Sequence, residues 1–529
     1  MNRRLLLETL VPAIALFACA LAIRAATMVN GFSLDGDECL FANIVSTSTW
    51  GNLLEVLRHD WNPPLMYVLA KLWCAIFGTS DYSFKWLALL ISAAIPVAAF
   101  AFMRTRLATS AAIAVAALCC VAPPLVDITT RVRPYGLMVL LGLCSLAALD
   151  KLLKAPHDRK SQLTYAVALS ALLYTHLSSL VLAFGQVLAC LGSAIVAHDK
   201  SRARGFCLSV LIAAIVLSPL AIGELSAVST SGMGHGFGVP VLHVLKTIPL
   251  YTFSLVEAGM FNSSDLAFYV PLILFYGMIA VAAISAGRIA KTFPNFDYVA
   301  WVVSFVAMVA LQILIGTQML RYAYVVNLTV PAIVLMVALL RTYFTPDKAM
   351  LANALAFFML IFWVPNLKDM HAAQQPTMQN LFNYINKDQS SAGKPSLLVV
   401  SNGWYAPVAY RYLDHKIECI VFPDVDAPLQ YVDWDGYTDK LADHARMDKL
   451  LKLIADRLDH GYSIYHMFVV FPPGQLVAPM PNLSTKAAVQ VQTFLAQHAR
   501  AEKMFDAFCY QAPGIMDRMR TCKFAPPHI

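Results

Sequence analysis

Residues 33–44 read SLDGDECLFANI and put three carboxylates, Asp35, Asp37 and Glu38, within four consecutive positions shortly after an apolar run. Beyond them Leu40, Phe41, Ile44 and Val45 recur at helical spacing, so the acids stand at the start of an amphipathic helix. Two readings compete. Asp35 or Asp37 caps that helix while Glu38 complements its dipole, or the group holds a proton acceptor at a membrane-surface site. A second cluster is His59-Asp60-Trp61-Asn62-Pro63-Pro64-Leu65, whose prolines fix an extended entry into a following helix. A third is Asp127 with Arg131-Val132-Arg133-Pro134-Tyr135. Its arginines want anionic partners, either lipid headgroups or a bound phosphate. The fourth pairs Tyr174-Thr175-His176 with Arg321-Tyr322. A histidine at a helix end serves as a polar anchor or lines a cleft; Arg321 stands alone among apolar neighbours.

The elements that must position these groups follow from composition. The chain has 529 residues, 59% hydrophobic and 13% charged, with mean hydropathy +0.62. Soluble domains carry about 25% charged residues, and apolar runs near the length that spans about 30 Å of hydrocarbon recur up to residue 365. This reads as a polytopic α-helical membrane protein. The first run, Leu10–Val29, has no small-residue cleavage site and is taken as a retained anchor. Eleven helices are expected, over 10–29, 85–103, 108–126, 135–150, 162–175, 177–197, 206–222, 266–287, 298–316, 322–340 and 349–365.

Charge sets the threading. Residues 366–529 hold 16 of the 39 basic and 16 of the 32 acidic residues, so the whole +7 excess lies in residues 1–365 and points to topology rather than to nucleic acid. With the N-terminus in the cytoplasm, 15 of the 23 basic residues of that part fall in cytoplasmic segments, and the acidic loop and the C-terminal domain share the outer side. Leu65–Phe77 is too short for a span and contains Lys71, so it is expected to lie on the outer membrane face. Residues 30–84 then form one long outer loop. The stretch from 223 to 265, with Lys246 and the glycine-rich SGMGHGFG, is expected to be another outer loop, either a lid or a connection.

Residues 366–529 are expected to form an outer α/β domain. Strands are expected at Ser396–Ser401, Glu418–Phe422 and Met467–Phe471, with helices to Tyr412, over Lys440–His460 and over Ala487–Ala507. No glycine-rich phosphate loop follows any of these strands, which excludes a recognisable nucleotide site. The 11 cysteines show no metal spacing. Cys509 and Cys522 could pair on the oxidising side.

These sites converge on one chemistry. A sugar carried on a polyprenyl phosphate has its anomeric carbon at the membrane surface. Its transfer needs a carboxylate to accept the acceptor's proton and cations to stabilise the departing phosphate. A rival reading is a transporter or flippase of a lipid-linked or anionic substrate. Transport usually leaves ionisable groups near the bilayer midplane, however, and here they gather at the outer ends and in the cytoplasmic loops. A third reading is a membrane anchor that only presents the C-terminal domain to a partner.

The order of motifs carries a resemblance. Asp37-Glu38 follows the first helix, Pro63-Pro64-Leu65 opens an interfacial helix and Phe77-Gly78 follows it; then come Arg133-x-Tyr135, Tyr174-Thr175-His176 and Arg321-Tyr322 ahead of Pro331. Over about residues 1–345 this resembles the GT-C membrane glycosyltransferases of the protein O-mannosyltransferase and lipid A aminoarabinose transferase type, family 39-like. The resemblance implies an inverting transferase in the inner (plasma) membrane. It would use a polyprenyl-phosphate sugar and act on a glycolipid, glycan or protein at the periplasmic face. Asp37 would be the base, with Asp35 or Glu38 orienting it or the acceptor. Arg133 and Arg321, with Arg131, would bind the donor phosphate. Tyr135, His176, Tyr322 and Asp127 would line the substrate cleft. No cofactor is required, although a carboxylate pair could hold a divalent metal weakly.

Overall fold

Helix α1 runs from Arg3 to Thr27 and turns Leu10, Val11 and Ile14 outward, while Leu16, Ala20 and Arg24 face the other helices. The computed structural model describes residues 3–27, 33–57, 62–196, 198, 200–230, 241–253, 266–292, 298–316, 325–343, 378–426, 429–430, 437–470, 479–512 and 515–526. The expected span at 349–365, the stretch SGMGHGFG, His59 to Trp61, Arg321, Tyr322 and the expected domain boundary at 366 lie outside them.

After α1 come α2 (Gly36–Thr47), α3 (Leu53–Leu57), α4 (Leu65–Phe77), α5 (Asp81–Arg104), α6 (Thr109–Val121), α7 (Pro123–Asp127) and α8 (Tyr135–Lys154). Then follow α9 (Arg159–Leu173), α10 (Ser179–Val196), α11 (Lys200–Thr230), α12 (Val241–Phe253), α13 (Leu266–Ile284), α14 (Ala286–Thr292), α15 (Tyr298–Gly316) and α16 (Thr329–Tyr343). Among the described residues five helices are long and apolar enough to cross a membrane, or six if a bent pair counts as one span.

That pair corrects one expectation. The run expected as a straight helix over 108–126 breaks by 62° between α6 and the segment Pro123–Thr130. Pro123 and Pro124 have no N–H to continue the ladder, so a new helical direction starts there. The stretch from 223 to 265 contains the helix α12, whose Val244 and Ile248 join the main hydrophobic core of the helical part. Helix α4 is the expected 13-residue element; it buries Met66, Tyr67, Ala70 and Cys74 and exposes Leu72, Ile76 and Phe77. Gly78 ends it at φ +79°, a backbone region that favours glycine, which accounts for the Phe77-Gly78 pair.

The C-terminal part contains α17 (Met378–Ala392), β1 (Ser396–Val400), α18 (Ala406–Tyr412), β2 (Glu418–Val421), α19 (Tyr437–Ala442), α20 (His444–Asp459), β3 (Ser463–Val470), α21 (Pro479–His498), β4 (Arg500–Ala512) and β5 (Ile515–Ala525). The sheet order is β2-β1-β3-β5-β4, with β1 parallel to β2 and β3, and β5 antiparallel to β3 and β4. The helix expected to run on to Ala507 instead stops at His498, and the chain returns as an antiparallel hairpin. The register sets Cys509 opposite Asp517 and Cys522 opposite Met504, so the two cysteines stand far apart along the hairpin and Cys522 is a free thiol.

Strand β1 is buried on both faces. Leu397 and Val399 pack toward α20 and α21 through Leu450, Ile454, Val491 and Leu495. Leu398 and Val400 pack the other way, in one continuous core with Phe382 and Ile385 of α17, Val408 of α18, Phe41 and Ile44 of α2, Tyr67 of α4 and Phe84 of α5. The sheet domain and the segment that holds α2, α3 and α4 therefore share a hydrophobic core.

Candidate active site

The acidic stretch is both a cap and a site. Asp35 is the extended N-cap of α2, and the Glu38 carboxylate reaches back to accept its N–H at 3.1 Å. Glu38 is 4% exposed and also accepts from both sides: Lys85 Nζ lies at 2.7 and 2.9 Å from its two oxygens, and the Val132 N–H at 2.6 Å. Its lone pairs are taken up in joining α2, the start of α5 and the turn before α8. Asp37, one residue earlier, is only half-buried.

Arg133 is brought to that same edge. Its guanidinium donates to the main-chain carbonyl of Asp37 at 3.3 Å, and the residue is nearly buried. Gly136 makes this turn possible, since a Cβ there would meet the Thr129 carbonyl oxygen at 2.8 Å. Asp127 is 4% exposed at the end of α7 and sits 3.6 Å from the Arg131 guanidinium one turn on. The carboxylate of Asp127 thus neutralises one of the two arginines of the turn.

Tyr135 opens α8 and packs its ring 5.2 Å from that of His176. The His176 Nδ1 accepts the Ser178 N–H at 3.0 Å, which leaves the proton of the neutral ring on Nε2. Two further bonds draw distant motifs together here. The Leu65 N–H donates to the Tyr174 carbonyl at 3.0 Å, tying the Pro-Pro-Leu entry to the Tyr-Thr-His turn. The Asn327 amide donates to the Ser178 carbonyl at 3.1 Å, bringing in the segment just after Arg321-Tyr322.

The structure thus collects Asp35, Asp37, Glu38, Asp127, Arg131, Arg133, Tyr135 and His176 around the N-terminal ends of α2, α5 and α8. Sequence reasoning missed Lys85 and Asn327 as members. Lys85 gave a usable signal: a lysine one turn into an apolar helix, close to its positive N-terminal end, calls for an anion. Asn327 gave none, because its role is fixed by a turn 149 residues away in sequence. Among the described residues no three His, Cys, Asp or Glu side chains come together to hold a metal ion.

The sequence matches no protein-family model and no curated protein. Solved structures do resemble it. ArnT from Cupriavidus metallidurans, a lipid A aminoarabinose transferase solved with undecaprenyl phosphate, superposes with TM-score 0.52 at 13% identity, over 96% of this chain and 97% of that one. The Archaeoglobus fulgidus oligosaccharyltransferase in its apo form superposes with TM-score 0.54 at 11% identity, over 94% of this chain and 73% of that one. At such identities the likeness speaks to the fold: a GT-C membrane-protein architecture with a small C-terminal sheet domain.

Proposed function

We propose that the chain is an inverting membrane glycosyltransferase that moves a sugar from a polyprenyl phosphate to an acceptor at the outer membrane face. The observation that carries this reading is the bond of the Arg133 guanidinium to the main-chain carbonyl of Asp37, which sets a cation from a different turn beside the residue that bears the half-buried carboxylate, within a fold shared with ArnT, which was solved with undecaprenyl phosphate. The distribution of Lys and Arg supports a cytoplasmic N-terminus and a periplasmic site in an inner membrane.

The chemistry divides among the residues present. The acceptor's oxygen or nitrogen attacks the anomeric carbon as the bond from that carbon to the donor phosphate breaks. The proton goes to the Asp37 carboxylate. A base at a helix N-terminus is weak, which suffices when bond breaking is advanced before the proton leaves. Arg133 and Arg131 take the role of stabilising the polyprenyl phosphate as its charge develops, a role the sequence pattern also assigns to Arg321. Glu38 serves by position: saturated with donors, it orients the helix that presents Asp37. Asp35 caps that helix, while Tyr135, His176 and Asp127 line the cleft, a role the sequence pattern also assigns to Tyr322. The acceptor is a glycolipid, glycan or protein of the cell envelope.

The test is transfer by purified protein in detergent, with a panel of polyprenyl-phosphate sugars and candidate acceptors, for wild type and Asp37→Asn. Transfer by wild type that falls by orders of magnitude in a folded Asp37→Asn protein supports the reading. Equal activity moves the base to another carboxylate. No turnover of any donor by folded protein overturns the reading in favour of a transporter or flippase.

A further inference from the structure

Helix α18 of the C-terminal domain lies directly on α2. The Tyr412 hydroxyl accepts the Leu34 N–H at 2.8 Å and donates to Asp81 Oδ2 at 2.6 Å. Arg411 binds the other oxygen of the same carboxylate, through Nε at 2.6 Å, and also donates to the Thr79 carbonyl at 3.1 Å. Asp81 is the first residue of α5, and Lys85, one turn on, holds Glu38. The bonds therefore close a ring: Leu34 to Tyr412, Tyr412 to Asp81, Asp81 through one helical turn to Lys85, and Lys85 to Glu38. Asp37 lies on the short arc of chain between the two fixed points, Leu34 and Glu38.

Two contacts reinforce the ring from the same side. The Asn43 amide, 1% exposed, donates to the Pro407 carbonyl at 2.8 Å. Tyr405 closes over Gly36, where a Cβ would meet its ring at 3.9 Å. An arc of backbone without these anchors has soft dihedrals at each residue, and a carboxylate displaced by about 1 Å loses on the order of 10²-fold in rate.

We propose that the C-terminal domain is a clamp on the catalytic helix, with Tyr412 and Arg411 as positioning residues that fix the backbone of Asp37 through Leu34 and Asp81. This rests on the glycosyltransferase reading only for its kinetic consequence; the ordering of residues 33–38 stands apart from it. The domain then acts within the site and does more than present a surface to partners.

The experiment uses the full-length protein in detergent and compares wild type, Tyr412→Phe, Asp81→Asn and the control Arg457→Ala. Arg457 pairs with Glu418 on the far side of the sheet domain. Two readouts are taken: amide hydrogen exchange across residues 33–40, with α20 as an internal reference for global stability, and kcat and KM for transfer. The clamp predicts faster exchange at 33–40 and unchanged exchange in α20 for Tyr412→Phe and Asp81→Asn. It also predicts a kcat lowered by roughly 10- to 100-fold while the donor KM stays within about twofold. Arg457→Ala, whatever it does to exchange within its own helix α20, should match wild type in exchange at 33–40 and in kcat and KM. Unchanged exchange at 33–40 in both variants overturns the clamp, and so does faster exchange with an unaltered kcat. Should wild type transfer no sugar from any donor, the glycosyltransferase reading falls and the exchange arm alone decides the clamp.

Discussion

The Lys85 ammonium lies between the two carboxylate oxygens of Glu38, and both side chains are almost wholly buried, at 7% and 6% exposure. A buried ion pair of this kind adds little net stability over an apolar pair, but losing one partner strands a charge in a poorly solvated place. Lys85→Met should cost about 3–5 kcal/mol for that reason. Glu38→Gln should cost a comparable amount, because it also weakens the bond to the Val132 N–H. Lys85→Met combined with Glu38→Gln should cost clearly less than the two added together. Thermal unfolding of the purified variants measures this coupling; strict additivity would mean the pair does not act as a unit.

Two aspartates of the site should behave differently. Asp37 is half-buried at the edge that Arg133 shares, whereas Asp127 is buried against Arg131 at 3.6 Å. Asp37→Asn is expected to lower kcat by roughly 10²- to 10⁴-fold, the usual worth of a general base. Asp127→Asn is expected to change the donor KM by less than about tenfold and to leave kcat close to wild type, because it alters one phosphate-facing cation. Steady-state kinetics of the two variants decide the assignment. A large kcat loss in Asp127→Asn with a mild one in Asp37→Asn would exchange their roles.

The motifs that the structure groups together were visible in the sequence because each is local. Asp37-Glu38, Arg133-x-Tyr135 and Tyr174-Thr175-His176 each occupy one turn. The partners that tie them together were not legible. The Lys85 bond to Glu38 spans 47 positions and the Tyr412 bond to Leu34 spans 378, and neither leaves a periodic trace. The hairpin β4–β5 was hidden for a different reason. Strand β4 is at the sheet edge with Met504 58% exposed, so it lacks clean alternation, and it follows α21 with no glycine or proline between His498 and Ala512. The turn dipeptide Pro513-Gly514 was the available signal.

His466 gives the C-terminal domain an acid sensitivity. The Ser401 hydroxyl donates to its Nε2 at 2.6 Å and its Nδ1 donates to Gln492 Oε1 at 2.9 Å, an arrangement that suits the neutral ring. Burial pushes its pKa from 6.5 down to about 4, against the raising effect of the Gln492 bond. The unfolded chain thus takes up a proton below pH 6.5 that the folded chain refuses until about pH 4. Its stabilising share is fully present above pH 6.5 and is lost as pH falls toward 4, up to about 3 kcal/mol. Wild type should be more stable than His466→Gln at pH 7.5, and their melting temperatures should converge toward pH 4. Curves that stay parallel would show that this ring does not drive the acid loss.

Arg24 supplies hydrogen bonds that two prolines withhold. In a continuous helix the N–H groups of residues 123 and 124 would bond the carbonyls of Cys119 and Cys120, but both positions are proline. The Arg24 guanidinium donates to those two carbonyls instead, at 3.2 and 3.1 Å, and to Ser92 Oγ at 2.5 Å. Ser92 in turn bonds Thr129, in the turn that leads to Arg131. The buried arginine thus caps α6 and supports the 62° bend that carries Asp127 and Arg131 to the site. Arg24→Met should destabilise the protein by about 1–3 kcal/mol for each stranded carbonyl. Adding Pro123→Ala and Pro124→Ala to that variant restores the missing N–H groups, so stability should recover in part. Transfer activity should not recover, because a straightened helix moves Asp127, Arg131 and Arg133 together away from Asp37. Recovery of both would mean that the bend is not needed for the chemistry, and recovery of neither would mean that Arg24 acts through contacts other than these carbonyls.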